Sequence, residues 1–137
     1  MKKVEYIKPI YTYEIDFGQH VSNIAYVQWM EVGRLKLLEE VGLPVHKIKL
    51  KGFVPALIRT EIRYKKPLFL GDEVRVVLWI SELKNASATM RFEFYNQLND
   101  IVAEGEQVGL FIKVDSQRPH KLSASDRARF EPYVAKG

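Results

Sequence analysis

The chain has 137 residues, 47% of them hydrophobic, which is enough for a single domain over residues 1–137 to close one core. It contains no cysteine, which excludes a disulfide framework, a thiolate nucleophile and a Cys-ligated zinc or iron–sulfur site. A net charge of +4 suits nucleic acid, a membrane surface or a phosphorylated ligand, and its sign alone does not choose among them.

The first strand is expected from Val4 to Glu14, rich in Tyr, Ile and Val, with Pro9 at an edge or bulge because it cannot donate to a ladder. The amino terminus carries two lysines but no long apolar stretch, so it does not read as a signal peptide. No run of about eighteen apolar residues occurs anywhere, so the expectation is a cytoplasmic protein without a membrane span. A loop follows at Asp16 to Ser22. The clearest helix then opens at Ser22 or Asn23 as N-cap and stops before Gly42, with Pro44 beyond it. Its roughly nineteen residues would span about 28 Å at 1.5 Å each.

Apolar residues cover most of that helix, including Ile24, Tyr26, Trp29, Met30, Leu37 and Leu38, so other structure should wrap it. Gly33 in its middle costs about 1 kcal/mol relative to Ala, which predicts the close approach of a backbone. Lys47 to Gly52 reads as a solvated loop.

From Phe53 onward the pattern is strand. Ile58, Thr60, Ile62 and Tyr64 alternate with charged residues, Val74 to Ile80 and Met90 to Phe94 follow the same period, and Val108, Leu110, Ile112 and Val114 share one side of a fourth run. Pro67, Gly71-Asp72, Lys84-Asn85 and Asn99-Asp100 mark turns, and the last two strand pairs read as hairpins. Ser123 or Ser125 should cap a short final helix through Arg129, held down by Phe130 and Tyr133.

The order predicts an α+β fold: an antiparallel sheet of about five strands wrapped around one long helix. So apolar a helix and so long a sheet predict a homodimer joined edge to edge with symmetric sites at the interface, or a homotetramer built from such dimers. Phe92 and Phe94 share a face opposite Arg91, as core residues do, and the basic residues are dispersed, so no nucleic-acid partner is expected.

Chemistry concentrates in Asp16-Phe17-Gly18-Gln19-His20-Val21-Ser22-Asn23-Ile24-Ala25-Tyr26, where a carboxylate, an imidazole and an amide feed a helix N-terminus. Free N–H groups there can hold a developing oxyanion, and a carboxylate beside the same carbonyl can attack it or activate water. On spacing alone the signal is weak, and the favoured reading has Asp16 and Asn23 capping turns, His20 packing on a strand and Tyr26 in the core.

The segment resembles the D-x-x-G-H-V-x-N-x-x-Y signature of hotdog-fold thioesterases of the 4-hydroxybenzoyl-CoA type, matched here by Asp16, His20, Val21, Asn23 and Tyr26. Glu31 and Arg34 stand where that family often has an acidic and then a basic residue. Tyr64-Lys65-Lys66-Pro67-Leu68-Phe69-Leu70-Gly71-Asp72 is similar to its Y-x-x-P-x-x-x-G-D turn.

The resemblance implies a hotdog fold and hydrolysis of an acyl-CoA without cofactor or metal. Asp16 would be nucleophile or general base, the Asn23 N–H the oxyanion support, and His20 an orienting residue. Tyr26, Glu31 and Thr60 would contact substrate. Lys84, before the third long strand, and Arg118 and Lys121, late in the chain, stand in the regions where aromatic-CoA relatives bind the coenzyme phosphates. An acyl carrier protein is the alternative donor. Gln19 departs from the pattern, occupying the usual glycine position, which predicts a reshaped turn and leaves a non-catalytic acyl-binding role open. An enoyl-CoA hydratase is a further alternative, but its D-x-N-P-x-H loop differs in spacing and in the Asn-Pro pair. Met30, Leu37, Ile58 and Ile62 are expected to set acyl depth.

Overall fold

The computed structural model describes residues 1–136. Five strands, β1 (Val4–Pro9), β2 (Phe53–Tyr64), β3 (Glu73–Leu83), β4 (Ser87–Tyr95) and β5 (Ile101–Lys113), form one antiparallel sheet in the order β1-β3-β4-β5-β2. Three helices accompany it: α1 (Asn23–Glu40), the short α2 (Val45–Ile48) and α3 (Ala124–Phe130). β3-β4 and β4-β5 are the expected hairpins. β2 and β3 are not neighbours, however, since the chain crosses from the β2 edge to a position between β1 and β4.

The sheet's outer face has a charged centre, with the partly buried Val108, Leu110 and Ile112 beside it on β5. Arg59 and Arg91 both bond Glu106, at 3.0 and 2.8 Å. Its inner face is built in rungs that read across the strands: Val76–Phe94–Ala103–Tyr64, Leu78–Phe92–Gly105–Ile62, Ile80–Met90–Gln107–Thr60, and Leu83–Ala88–Gly109–Leu57. On β5 the core side is therefore Ala103, Gly105, Gln107, Gly109 and Phe111, not the even-numbered aliphatic side that hydropathy favours. Part of the reason is the Met30 side chain of α1, which reaches down to Gly105 on β5. A Cβ on Gly105 would come within 2.7 Å of the Met30 side chain, so only a small residue fits beneath the helix.

At Gly33 an added Cβ would meet the side chains of Leu78 and Phe92 at 3.0 and 3.5 Å, so the close approach there is to side chains rather than to a backbone. Ser22 is the N-cap of α1, its Oγ accepting from the Ala25 N–H. At the other end Gly42, at φ 79°, lets the chain turn out of the helix. There Arg129 of α3 donates to the Val41 carbonyl at 3.2 Å, and the Tyr133 hydroxyl donates to Glu40 at 2.7 Å.

Two boundaries differ from expectation. The first strand ends at Pro9, and Thr12–Glu14 is a turn of 3-10 helix, because the Glu14 carboxylate folds back to accept the Tyr11 N–H at 2.7 Å. The basic stretch over residues 47–51 is helical, ending at Gly52 with φ 89°.

Candidate active site

Residues 15–21 form a tight loop closed by an antiparallel bridge between Ile15 and Val21. Within it the Asp16 N–H donates to the His20 carbonyl at 3.0 Å, and the Gln19 N–H donates to the Asp16 carbonyl at 3.1 Å. Gln19 has φ 69°, the left-handed conformation that glycine adopts freely. The turn is thus formed despite the substitution, at a cost of about 1 kcal/mol. Gly18 suits its place for a different reason. An added Cβ would sit 3.1 Å from the Asp16 carboxylate and 3.2 Å from the His20 ring.

Four bonds fix this loop and its flank to the frame. The Val21 N–H donates to the Leu68 carbonyl at 2.8 Å, which joins the two sequence motifs in space. The Ser22 N–H donates to the Glu14 carbonyl at 2.8 Å. The Glu14 side chain, 4% exposed, also accepts the Lys8 ammonium at 2.6 Å and the Trp29 indole N–H at 2.7 Å. Burial alone would raise the Glu14 carboxyl, but the bonds from Lys8, Tyr11 and Trp29, together with the Lys8 charge, hold it below the usual carboxylate value.

The Asp16 carboxylate accepts the Gly18 N–H at 2.8 Å and remains partly open to solvent. His20 lies beside it, Nδ1 3.9 Å from Asp16 Oδ1 and 3.2 Å from the Val21 carbonyl. Above the loop, the Asn23 and Ile24 N–H groups belong to the first turn of α1 and have no acceptor within the helix. A cleft of about 200 Å³ opens here, lined by His20, Asn23, Tyr26, Tyr64, Lys65 and Lys66. Asp16 borders His20 but does not itself line that cleft. Tyr26 forms its floor, 2% exposed and packed edge-on to Tyr64 and Phe94 at 5.1 and 5.2 Å. Burial, then the neighbouring Tyr64, pushes its hydroxyl far above the ordinary tyrosine value.

The other expected residues lie elsewhere. Glu31 and Arg34 line a second, larger cavity further along α1. Burial depresses the Arg34 guanidinium, with Glu31 acting against it, and its Nε is enclosed without a partner among the described residues. Thr60 faces inward on β2 as its alternation predicts and accepts a bond from Gln107 at 3.2 Å. It is exposed on that edge strand.

Lys84 sits in the β3-β4 turn, and the Leu122 N–H donates to the Asn85 carbonyl at 2.8 Å, which draws the segment carrying Arg118 and Lys121 towards that turn. β3 runs about 33 Å from the Asp16 end to this one, so one protomer does not bring these basic residues to the loop. Composition did not single out Glu14, whose signal is visible only as an acid two residues before Asp16. Lys65 and Lys66 stood within the second motif but were not assigned a role. Among the described residues no cluster of three His, Asp or Glu is placed to hold a metal, and no helix is long and apolar enough to cross a membrane.

Comparison with known proteins converges on one group. Residues 10–135 match the family model described as the thioesterase-like superfamily. A Bacillus subtilis protein provisionally named an acyl-CoA thioesterase is 27% identical over 72% of this chain and 72% of its own length. A chloroplastic acyl-acyl carrier protein thioesterase of Arabidopsis thaliana is 27% identical over 89% of this chain and 64% of its own. Among solved structures, a DHNA-CoA thioesterase of Staphylococcus aureus superposes with a TM-score of 0.87 at 20% identity, covering 96% of this chain and 90% of that one. That likeness shows the fold, the hotdog arrangement expected from sequence.

Proposed function

This chain belongs to the thioesterase-like superfamily, and from that membership we propose that it hydrolyses an acyl-CoA to the free acid and coenzyme A. Asp16 is the nucleophile or general base, and the Asn23 amide at the start of α1 supports the oxyanion. The carrying observation is the convergence of the two motifs. The Val21–Leu68 bond holds a partly open carboxylate loop next to the first turn of α1, where Asn23 lines a cleft. With Asp16 as base, water gives it a proton while adding to the thioester carbon, the carbonyl oxygen takes negative charge against the first-turn N–H groups, and the C–S bond breaks as the thiolate leaves. A thiolate needs little acid assistance, so a single carboxylate and an oxyanion support suffice.

The site is completed by a second copy of the chain. β2 is a twelve-residue edge strand with Leu57, Ile58 and Tyr64 exposed, an open edge that natural sheets cover. Antiparallel pairing of β2 with its symmetry mate sets the Tyr64 end of one protomer against the Phe53 end of the other. That arrangement carries the partner subunit's Lys84, Arg118 and Lys121 to the same end as Asp16, where the coenzyme phosphates would lie. Similarity to the plant enzyme favours acyl carrier protein as a second donor to compare.

The test is thiol release from a panel of short, long and aromatic acyl-CoAs by wild type and Asp16→Asn. Wild type should cleave at least part of the panel, and the variant should lose about 10²–10⁴-fold in kcat while its circular dichroism stays unchanged. A folded Asp16→Asn with full activity overturns the role of Asp16. Binding without any turnover by wild type overturns hydrolysis in favour of an acyl-binding protein. The same acyl group offered on carrier protein identifies the donor.

A further inference from the structure

We propose that the cavity under the C-terminal half of α1 receives the distal end of an aliphatic acyl chain, which makes long-chain thioesters the preferred substrates. The inference rests on the thioesterase reading for the position of the carbonyl, and on the cavity itself for the rest.

The cavity holds about 300 Å³ and is blind at its inner end, where Leu38, Ile80, Ala88, Met90, Phe111 and Phe130 enclose it, all 8% exposed or less. Protein interiors rarely leave a void of this size, because the lining atoms lose contacts. Here it results from one rung of the sheet, since the small residues Ala88 and Gly109 pair on the cavity wall where the neighbouring rungs carry Met90 and Phe92. An added Cβ on Gly109 would meet only ordinary contacts, 3.6 Å from Met90 and 3.9 Å from the Ala56 carbonyl. Close packing therefore does not require glycine there, in contrast to Gly105.

The mouth opens between Glu31, Leu35 and Leu57, and a path leads to it. Ile24, Val27, Glu31 and Leu35 occupy one face of α1, at i, i+3, i+7 and i+11, and the three apolar members are 70%, 43% and 36% exposed. That face starts at the proposed oxyanion support and ends at the mouth. Eight residues separate Asn23 from Glu31, about 12 Å along the axis. An extended chain advances roughly 1.2 Å per bond, by analogy with about 3.6 Å for the three bonds of a residue. About ten bonds of acyl chain thus reach the mouth, and only longer chains enter the cavity. Beyond the mouth the lining is apolar apart from Arg34, which favours an aliphatic tail.

The test combines a chain-length series with cavity filling. For wild type, KM should fall steeply for acyl-CoAs beyond about ten carbons, and a flat profile from butanoyl- to hexadecanoyl-CoA overturns the proposal without any variant. Gly109→Val and, independently, Ala88→Leu place methyl groups in the cavity from two different strands. Each should lower kcat/KM for hexadecanoyl-CoA by about tenfold or more and leave butanoyl-CoA within twofold. Equal losses on both substrates in folded protein overturn it. Calorimetric binding of palmitate, which needs no hydrolysis, separates the two readings. Palmitate bound by wild type and lost in Gly109→Val supports the cavity even if no thioester is cleaved, and palmitate binding unchanged by Gly109→Val overturns it even if thioesters are cleaved.

Discussion

Replacing Glu14 should be the most damaging single change outside the aliphatic core, and its size follows from the contacts. The carboxylate accepts Lys8 Nζ at 2.6 Å, the Tyr11 N–H at 2.7 Å and the Trp29 Nε1–H at 2.7 Å, while 4% exposed. Glu14→Ala leaves the Trp29 and Tyr11 donors and the Lys8 ammonium without an acceptor, a loss of roughly 3–5 kcal/mol. For a chain of this length that lowers the melting temperature by about 12–20 °C. Glu14→Gln keeps the shape and up to two acceptor bonds but loses the charge, and should fall between. The pH dependence has a defined sign. The folded carboxyl titrates below its unfolded value, so its contribution is fully present above the unfolded value, about 4.3, and disappears as pH falls through the lower folded one. Urea denaturation at fixed protomer concentration, at pH 7 and pH 3.5, measures both effects. A loss below about 1 kcal/mol for Glu14→Ala, or a Glu14→Gln penalty that does not shrink at the lower pH, would refute the account of Glu14 as a buried, charge-bearing clamp.

Gln19→Gly should relieve the left-handed strain at φ 69° and change stability by less than about 1 kcal/mol, in the stabilising direction, with kcat unaltered. A marked loss of activity would mean that the Gln19 side chain itself serves the site. Gly105→Ala forces the Met30 methyl from 2.7 Å and should cost about 1–3 kcal/mol in thermal unfolding; an unchanged melting temperature would show that α1 moves freely over β5. Asp16→Asn and the double variant Lys84→Ala/Lys121→Ala should each be weak alone, yet regain up to about a quarter of wild-type activity after mixing and subunit exchange, because half the dimers then carry one intact site. No recovery in verified heterodimers would place both residue sets in the same subunit's site.

The element order was readable because its signals are local. Ser22 caps α1, Gly42 ends it, and the period-two runs of β3 and β4 place Val74 to Ile80 and Met90 to Phe94 inward. The side of β5 that meets the core was not readable from hydropathy. Its inward residues are chosen for smallness under a helix, and the fully buried Gln107 bonds Thr60 across strands, so volume overrides polarity there. The end of β1 was missed for a comparable reason, since Glu14 takes its partners from Lys8, Tyr11 and Trp29 and only the tertiary fold assembles them. Motif spacing brought Asp16, His20, Asn23 and Tyr26 into one neighbourhood. It could not show that Lys84, Arg118 and Lys121 lie at the far end of the sheet, because a strand's direction relative to the loop depends on the β2-to-β3 crossover.

On the proposed path, the oxyanion support and the cavity mouth belong to the same helix, and this constrains how chain-length preference can change. α1 is clamped at its first turn by the Ser22 cap and the Glu14 carbonyl, in its middle by Gly33 against Leu78 and Phe92, and at its end by Arg129. The distance from Asn23 to Glu31 is therefore fixed by helix rise at about 12 Å, and substitutions in the Asp16 loop cannot lengthen or shorten the measured span. One helical turn of about 5.4 Å corresponds to between four and five bonds of extended chain at roughly 1.2 Å each. Preference can move only where the cavity floor moves, at the Ala88–Gly109 rung, so chain length and bond cleavage should respond to separate sets of residues.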